Sequence, residues 1–293
     1  MALPSEIKKT GAQIEITITV PHSRVGGALE KVYDDAAKEI EIRGFRKGQA
    51  PKNLVREKVD KAKAYGEVIN RLVPDAYNAA VKEYLLKPIV SPRIELVQFE
   101  PETEKDFVFK ATTTERPTVQ LGDYQSELKK LKVQKPTEGI IGPDGKPLEF
   151  SKPTSGGYSL NDILQPILKT ATVEIPEILV ENEVNRMLTG LIDQTTQLGL
   201  TVEQYLQSQS KTAEQLRADY AQQAKENLKV EFVLEEIAQA EKIEVTDQEI
   251  ADAIKAAPDQ KSKEELAKEE NKWYIKSILK RNKTIQRLLD LTK

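Results

Sequence analysis

The second half of the chain carries four S/T-x-x-E/Q matches, each at the head of a segment with helical periodicity: Thr201 with Gln204, Thr212 with Gln215, Thr246 with Glu249, and Ser262 with Glu265. In such a capping box the hydroxyl and the longer polar side chain each satisfy a backbone N–H that the first helical turn leaves open. One match is weak evidence, but four in step with apolar stripes predict that everything after Ser159 is helical. Pro176 suits a helix start and Gly199 a helix C-terminus, with Val180, Val184, Met187, Leu188, Leu191 and Ile192 on one face between them. The longest predicted helix runs from Ala213 to about Lys242, its Leu216, Tyr220, Leu228, Phe232 and Ile237 separated by polar residues. Narrow stripes on long helices predict an elongated all-α domain over 159–293 with arm-like helices. Trp273, beside Tyr274, Ile275 and Ile278, is expected in a helical core.

The first 121 residues follow a different pattern. Ile14, Ile16, Ile18 and Val20 alternate with polar residues, the period of a half-buried strand, and Pro21 ends the run. His22 then reads as a turn residue. Val25, Leu29, Val32, Tyr33, Ala36 and Ile40 return at helical spacing, and Pro51 suits the start of a further helical stretch in which Pro74 should end or kink a segment. "PIVSPRIELVQFE" and "KDFVFKATTTERPTVQL" revert to strand chemistry. Strand, helices and a strand pair predict an α+β module, a small antiparallel sheet covered by long helices. From 122 to 158 the periodicity fails in a segment dense in Pro, Gly, Ser and Lys, which reads as a linker with one small hairpin at "GPDGK".

Composition removes whole classes of chemistry. With no cysteine and one histidine, the chain offers neither thiol chemistry nor a histidine cluster for a metal. "GPDGK" has the wrong spacing for a phosphate-binding Walker loop, and no nucleophile elbow, HExxH or EF-hand loop occurs. No apolar run approaches membrane-spanning length, so a cytoplasmic protein with no membrane partner is expected.

One stretch stands out against the net charge of −3: Arg43, Arg46, Lys47, Lys52, Arg56, Lys58, Lys61 and Lys63 face only Glu57 and Asp60, a local +6 that leaves −9 elsewhere. Within it, Gly44 and Gly48 permit a tight turn that pushes Phe45, Arg46 and Lys47 outward. An apolar ring between cations suits a partner part apolar and part anionic. A phenylalanine folded inward as a cap on the core is the other reading of such a turn.

The stretch "GFRKGQAP" resembles the ribosome-docking signature G-F-R-x-G-x-x-P of the trigger factor family, bacterial chaperones of the ribosomal exit tunnel, through Gly44, Phe45, Arg46, Gly48 and Pro51. "YQSELKKLKVQKP" and "VEIPEILVENEVNRML" are similar to later parts of that family. The resemblance implies a ribosome-binding α+β domain over 1–121, a linker over 122–158 and a helical chaperone domain over 159–293. It implies an ATP-independent chaperone without cofactor or metal. Its partners would be the large ribosomal subunit, through exit-tunnel protein and ribosomal RNA, nascent and unfolded polypeptides, and a second copy in a weak homodimer off the ribosome. The docking residues would be Arg43, Gly44, Phe45, Arg46, Lys47, Gly48 and Pro51. The family also carries a peptidyl-prolyl isomerase domain, and a β-rich domain of that kind needs on the order of a hundred residues. The segment from Val133 to Ser159 is too short for one, so no catalytic residue is expected. The rival readings are a free holdase and an RNA-binding regulator that uses residues 43–63.

Overall fold

The computed structural model describes residues 3–42, 45–46, 49, 51–131, 160–257 and 259–292, without the side chains of Lys261 and Ser262. It divides into two units, 1–116 with 176–179 and 117–175 with 180–293.

In the first unit the alternating stretch forms β2 (Gln13–Val20), with Ile14, Ile16, Ile18 and Val20 fully buried. Each such burial contributes about 2 kcal/mol. β2 pairs antiparallel with β1 (Ser5–Thr10) and with β4 (Phe107–Thr114), and β4 pairs with β3 (Arg93–Gln98), giving the order β1-β2-β4-β3. β1 is a strand beyond those expected from the sequence. As an edge strand with little buried surface it needs no apolar alternation, and Gly11, at φ 58°, turns it into β2.

Two helices complete this core. α1 (His22–Glu39) buries Val25, Ala28, Leu29, Val32 and Tyr33, and α3 (Lys61–Glu83) buries Ala64, Val68, Val73, Ala76, Tyr77 and Ala80 in one cluster with the β2 and β4 side chains. His22 is the first residue of α1 rather than a turn residue. Its backbone N–H donates to Asp106 Oδ1 at 2.9 Å, which supplies the cap that Pro21 lacks.

Two local expectations change. Of the end or kink expected at Pro74, the end does not occur: α3 runs through it, with Val73, Ala76 and Tyr77 held in the core. The break falls earlier: α2 (Lys52–Lys58) stops, and Asp60 caps α3 by accepting from the N–H groups of Ala62 at 2.9 Å and Lys63 at 3.4 Å.

Among its described residues the second unit is helical apart from one short strand pair, β5 (Val119–Gln120) with β6 (Thr172–Val173). Residues 122–131, read as the start of a linker, hold α4 (Tyr124–Lys129), which buries Tyr124 and Leu128. The rest of the expected linker, with its hairpin, lies outside the described residues. α5 (Leu160–Thr170) packs against α4, α8 (Ala213–Ala240) and α11 (Glu269–Asp290). Between them are α6 (Glu177–Gln197), α7 (Val202–Ser208), α9 (Asp247–Lys255) and α10 (Gln260–Leu266).

The capping boxes of Thr201, Thr212 and Thr246 form at the heads of α7, α8 and α9. The pair Ser262–Glu265 lies outside the described side chains. Gly199 closes α6 at φ 71°, its N–H reaching Thr196 O at 3.0 Å. Leu216, Tyr220, Leu228, Phe232 and Ile237 are buried along α8 as its stripe predicts. Trp273 is not core. It is 70% exposed, because Ile275 takes the inward position against Val245 and Ile250 and leaves its two predecessors on another face.

Candidate functional site

The basic turn joins α1 to α2. The Phe45 N–H donates to Ile42 O at 3.0 Å and the Gln49 N–H to Arg46 O at 2.9 Å. Pro51 is the residue before α2, and its carbonyl accepts from Leu54 at 3.1 Å and Val55 at 3.2 Å. Phe45 is 44% exposed, so the inward-folded alternative does not hold, and Arg46 is exposed beside it. Arg43, Gly44, Lys47 and Gly48 lie outside the described residues.

The base of the turn is clamped to α1. Lys52 Nζ lies 2.5 Å from Asp34 and 3.9 Å from Glu30, and Arg56 pairs with Glu30 while its guanidinium stands 5.5 Å from the centre of the Tyr33 ring. Lys61 meets Glu102 at 2.9 Å, an approach that holds the Glu102 carboxyl below its ordinary range and lifts the Lys61 ammonium. These three cations are answered by acids from α1 and from the loop before β4. Arg46, Lys58 and Lys63 have no ion pair among the described residues.

Residue spacing could not reveal this neutralisation. Glu30 and Asp34 sit on α1 one turn apart, and only the packing of α2 against α1 brings them to Lys52 and Arg56.

Beside the clamp an open cleft of about 540 Å³ runs between α1, the α2–α3 junction and Pro101–Glu104. Gly26 opens one side, and Tyr33, Arg56, Lys61 and Glu102 line it. Its cations are committed to carboxylates, which leaves no ready anion site. Among the described residues no group of three or more His, Asp or Glu side chains is placed to hold a metal ion.

Sequence reasoning missed the exposed apolar surface of the second unit. Trp273 and Tyr274 stand on α11 with ring centres 6.0 Å apart, and Ile278 is exposed one turn on. Ile192, Leu198 and Leu200 are exposed around the α6–α7 corner. The break in the apolar stripe of α11, where Lys272 and Lys276 flank the aromatic pair, is the signal that could have marked this face. No described helix is long and apolar enough to cross a membrane.

Residues 4–140 match the family described as "Bacterial trigger factor protein (TF)" and residues 158–290 its "C-terminus". Trigger factors of Staphylococcus aureus strains JH9 and Newman are 38% identical over 118 residues. That alignment covers 40% of this chain and only 27% of those relatives. A solved structure from work on substrate recognition in folding and assembly by the trigger factor chaperone aligns over 98% of this chain and 100% of its own. Its TM-score is 0.63 at 15% identity, a likeness of fold. Two matched stretches that together take in nearly the whole chain, with Phe45 and Pro51 inside the first, place this chain in the bacterial trigger factor family.

Proposed function

We propose that this chain is an ATP-independent chaperone that docks beside the exit tunnel of the large ribosomal subunit and holds nascent or unfolded polypeptide through dispersed apolar contacts. The observation that carries the docking is Phe45, exposed at the tip of a clamped turn with Arg46 beside it and Pro51 behind it. Arg43, Arg46 and Lys47 would meet carboxylate or ribosomal RNA phosphate, with Phe45 as apolar anchor and Gly44 and Gly48 shaping the turn. The attachment weakens with salt.

In this reading residues 1–121 dock, 122–158 connect, beginning with α4, and 159–293 hold the client. The exposed side chains of α11 and of the α6–α7 corner supply scattered apolar contacts. The site of action is the cytoplasm, with a weak homodimer away from the ribosome. Prolyl isomerisation is not part of the activity: only residues 141–157 separate the two family matches.

An RNA-binding regulator would need the whole basic stretch, and the pairing of Lys52, Arg56 and Lys61 with acids argues against it. Replacing Phe45, Arg46 and Lys47 together by alanine should abolish co-sedimentation with large ribosomal subunits at low salt and leave the far-UV circular dichroism unchanged. Unchanged co-sedimentation refutes the docking. The intact protein should suppress aggregation of an unfolded client without ATP and leave a proline-limited refolding phase at its uncatalysed rate.

A further inference from the structure

The aromatic face of α11 has a charge setting of its own. Trp273 is 70% exposed, Tyr274 51% and Ile278 41%, and Tyr274 and Ile278 are one turn apart, so the three form one apolar patch. Lys276 and Lys280 follow Trp273 at three and seven residues along one edge of the helix. Neither has an ion pair among the described residues, whereas Lys272 is taken by Glu269, Lys283 by Glu249 and Arg287 by Glu241. The α6–α7 corner differs: around Ile192, Leu198 and Leu200 the chain from 192 to 210 carries Asp193 and Glu203 and no cation.

We propose that the Trp273–Tyr274–Ile278 face, edged by Lys276 and Lys280, is a client-docking surface selective for unfolded segments in which apolar side chains are flanked by Asp or Glu. The inference rests on the chaperone reading and adds a charge preference to it. Complementarity decides the occupant: an exposed aromatic and aliphatic centre takes apolar side chains, and two unanswered ammonium groups beside it favour carboxylates at the flank. Nucleic acid fits less well. Ile278 offers no stacking plane, and two unpaired cations are few against a phosphate backbone.

The chain contains a single tryptophan, so its emission reports on this face alone. The test uses the full chain and three fluorescently tagged peptides that share a Leu/Phe core and differ in flanks of Asp, Lys or Ser-Gly. At low salt the acidic peptide should shift Trp273 emission to the blue and bind about fivefold more tightly than the basic one, the scale of two exposed ion pairs. High salt should erase the difference. The double variant K276E/K280E should reverse the ranking with unchanged circular dichroism.

Four outcomes overturn the inference while the chaperone reading stands: equal affinity for acidic and basic peptides, peptide binding by anisotropy with no change in tryptophan emission, an equal emission shift with an RNA oligonucleotide, or a shift with protein concentration alone, which would give the face to a second copy. If no peptide binds and client aggregation is not suppressed, the chaperone reading fails and takes this inference with it.

Discussion

Glu241, just past the end of α8, accepts from the Arg287 guanidinium of α11 at 3.0 Å. Its other oxygen accepts from the Tyr124 hydroxyl and the Gln125 amide of α4, each at 2.9 Å. The carboxylate is only 13% exposed, and Arg287 first and Tyr124 second hold its pKa below the ordinary 4.5. One side chain thus ties three helices of the second unit. Replacing Glu241 with glutamine should destabilise this unit by about 1 kcal/mol, a charge-assisted hydrogen bond discounted because Arg287 is half exposed. Urea denaturation followed by far-UV circular dichroism measures the loss. Because the folded pKa is depressed, the wild-type advantage is full above pH 4.5 and fades as the pH falls further.

A second carboxylate is held lower still. Glu249 receives Lys283 Nζ at 2.8 Å and, as part of its capping box, the Thr246 N–H at 2.8 Å, and these bring its pKa to about 2. The stability it contributes is complete above its ordinary 4.5 and is lost as the pH falls through about 2. Carbon-detected NMR titration should find Glu249 still ionised at about pH 3, and K283M should raise its pKa toward the ordinary value.

Two glycines with left-handed backbones separate strain from contact. At Gly122, φ 63°, an added Cβ would stand 2.9 Å from Thr170 O, whereas at Gly199, φ 71°, it meets open space. Gly199→Ala should cost about 1 kcal/mol, the left-handed penalty alone, and Gly122→Ala about 2 kcal/mol or more. Denaturant midpoints of the two variants decide this, and equal losses would contradict the close approach.

The clamp of α2 on α1 pairs Lys52 and Arg56 with acids, so in the proposed docking they support the turn while Phe45 and Arg46 make the contact. K52A/R56A should weaken ribosome co-sedimentation far less than F45A/R46A at the same salt. Equal losses would return the binding to charge spread over the whole stretch.

How much could be read beforehand depended on whether a signal was periodic and local. The alternation of Ile14 to Val20, the stripe of α8 and the boxes of Thr201, Thr212 and Thr246 are satisfied within a few residues of themselves, and all appear as expected. β1 escaped notice because an edge strand with little buried face has no pattern to display. The start of α3 was hidden because helical spacing continues across Asp60, whose cap interrupts the hydrogen bonds and not the stripe. Trp273 was misplaced because a large aromatic is ordinarily core, and only the packing of Ile275 shows which face is inward. The partial neutralisation of the basic stretch depends on α1 acids that tertiary packing alone brings near. At the candidate site the exposure of Phe45 and the place of Pro51 before α2 were legible, while the supporting clamp was not.

The pairing of β2 with β4 joins residues 13–20 to residues 107–114. A chain made from its N-terminus therefore extrudes α1, the basic stretch and α3 long before the strand that closes their sheet. Over that interval Ile14, Ile16, Ile18 and Val20, fully buried in the finished fold, lack the β4 partner that covers one edge of their strand. During its own synthesis this protein passes through the state it is proposed to protect in others.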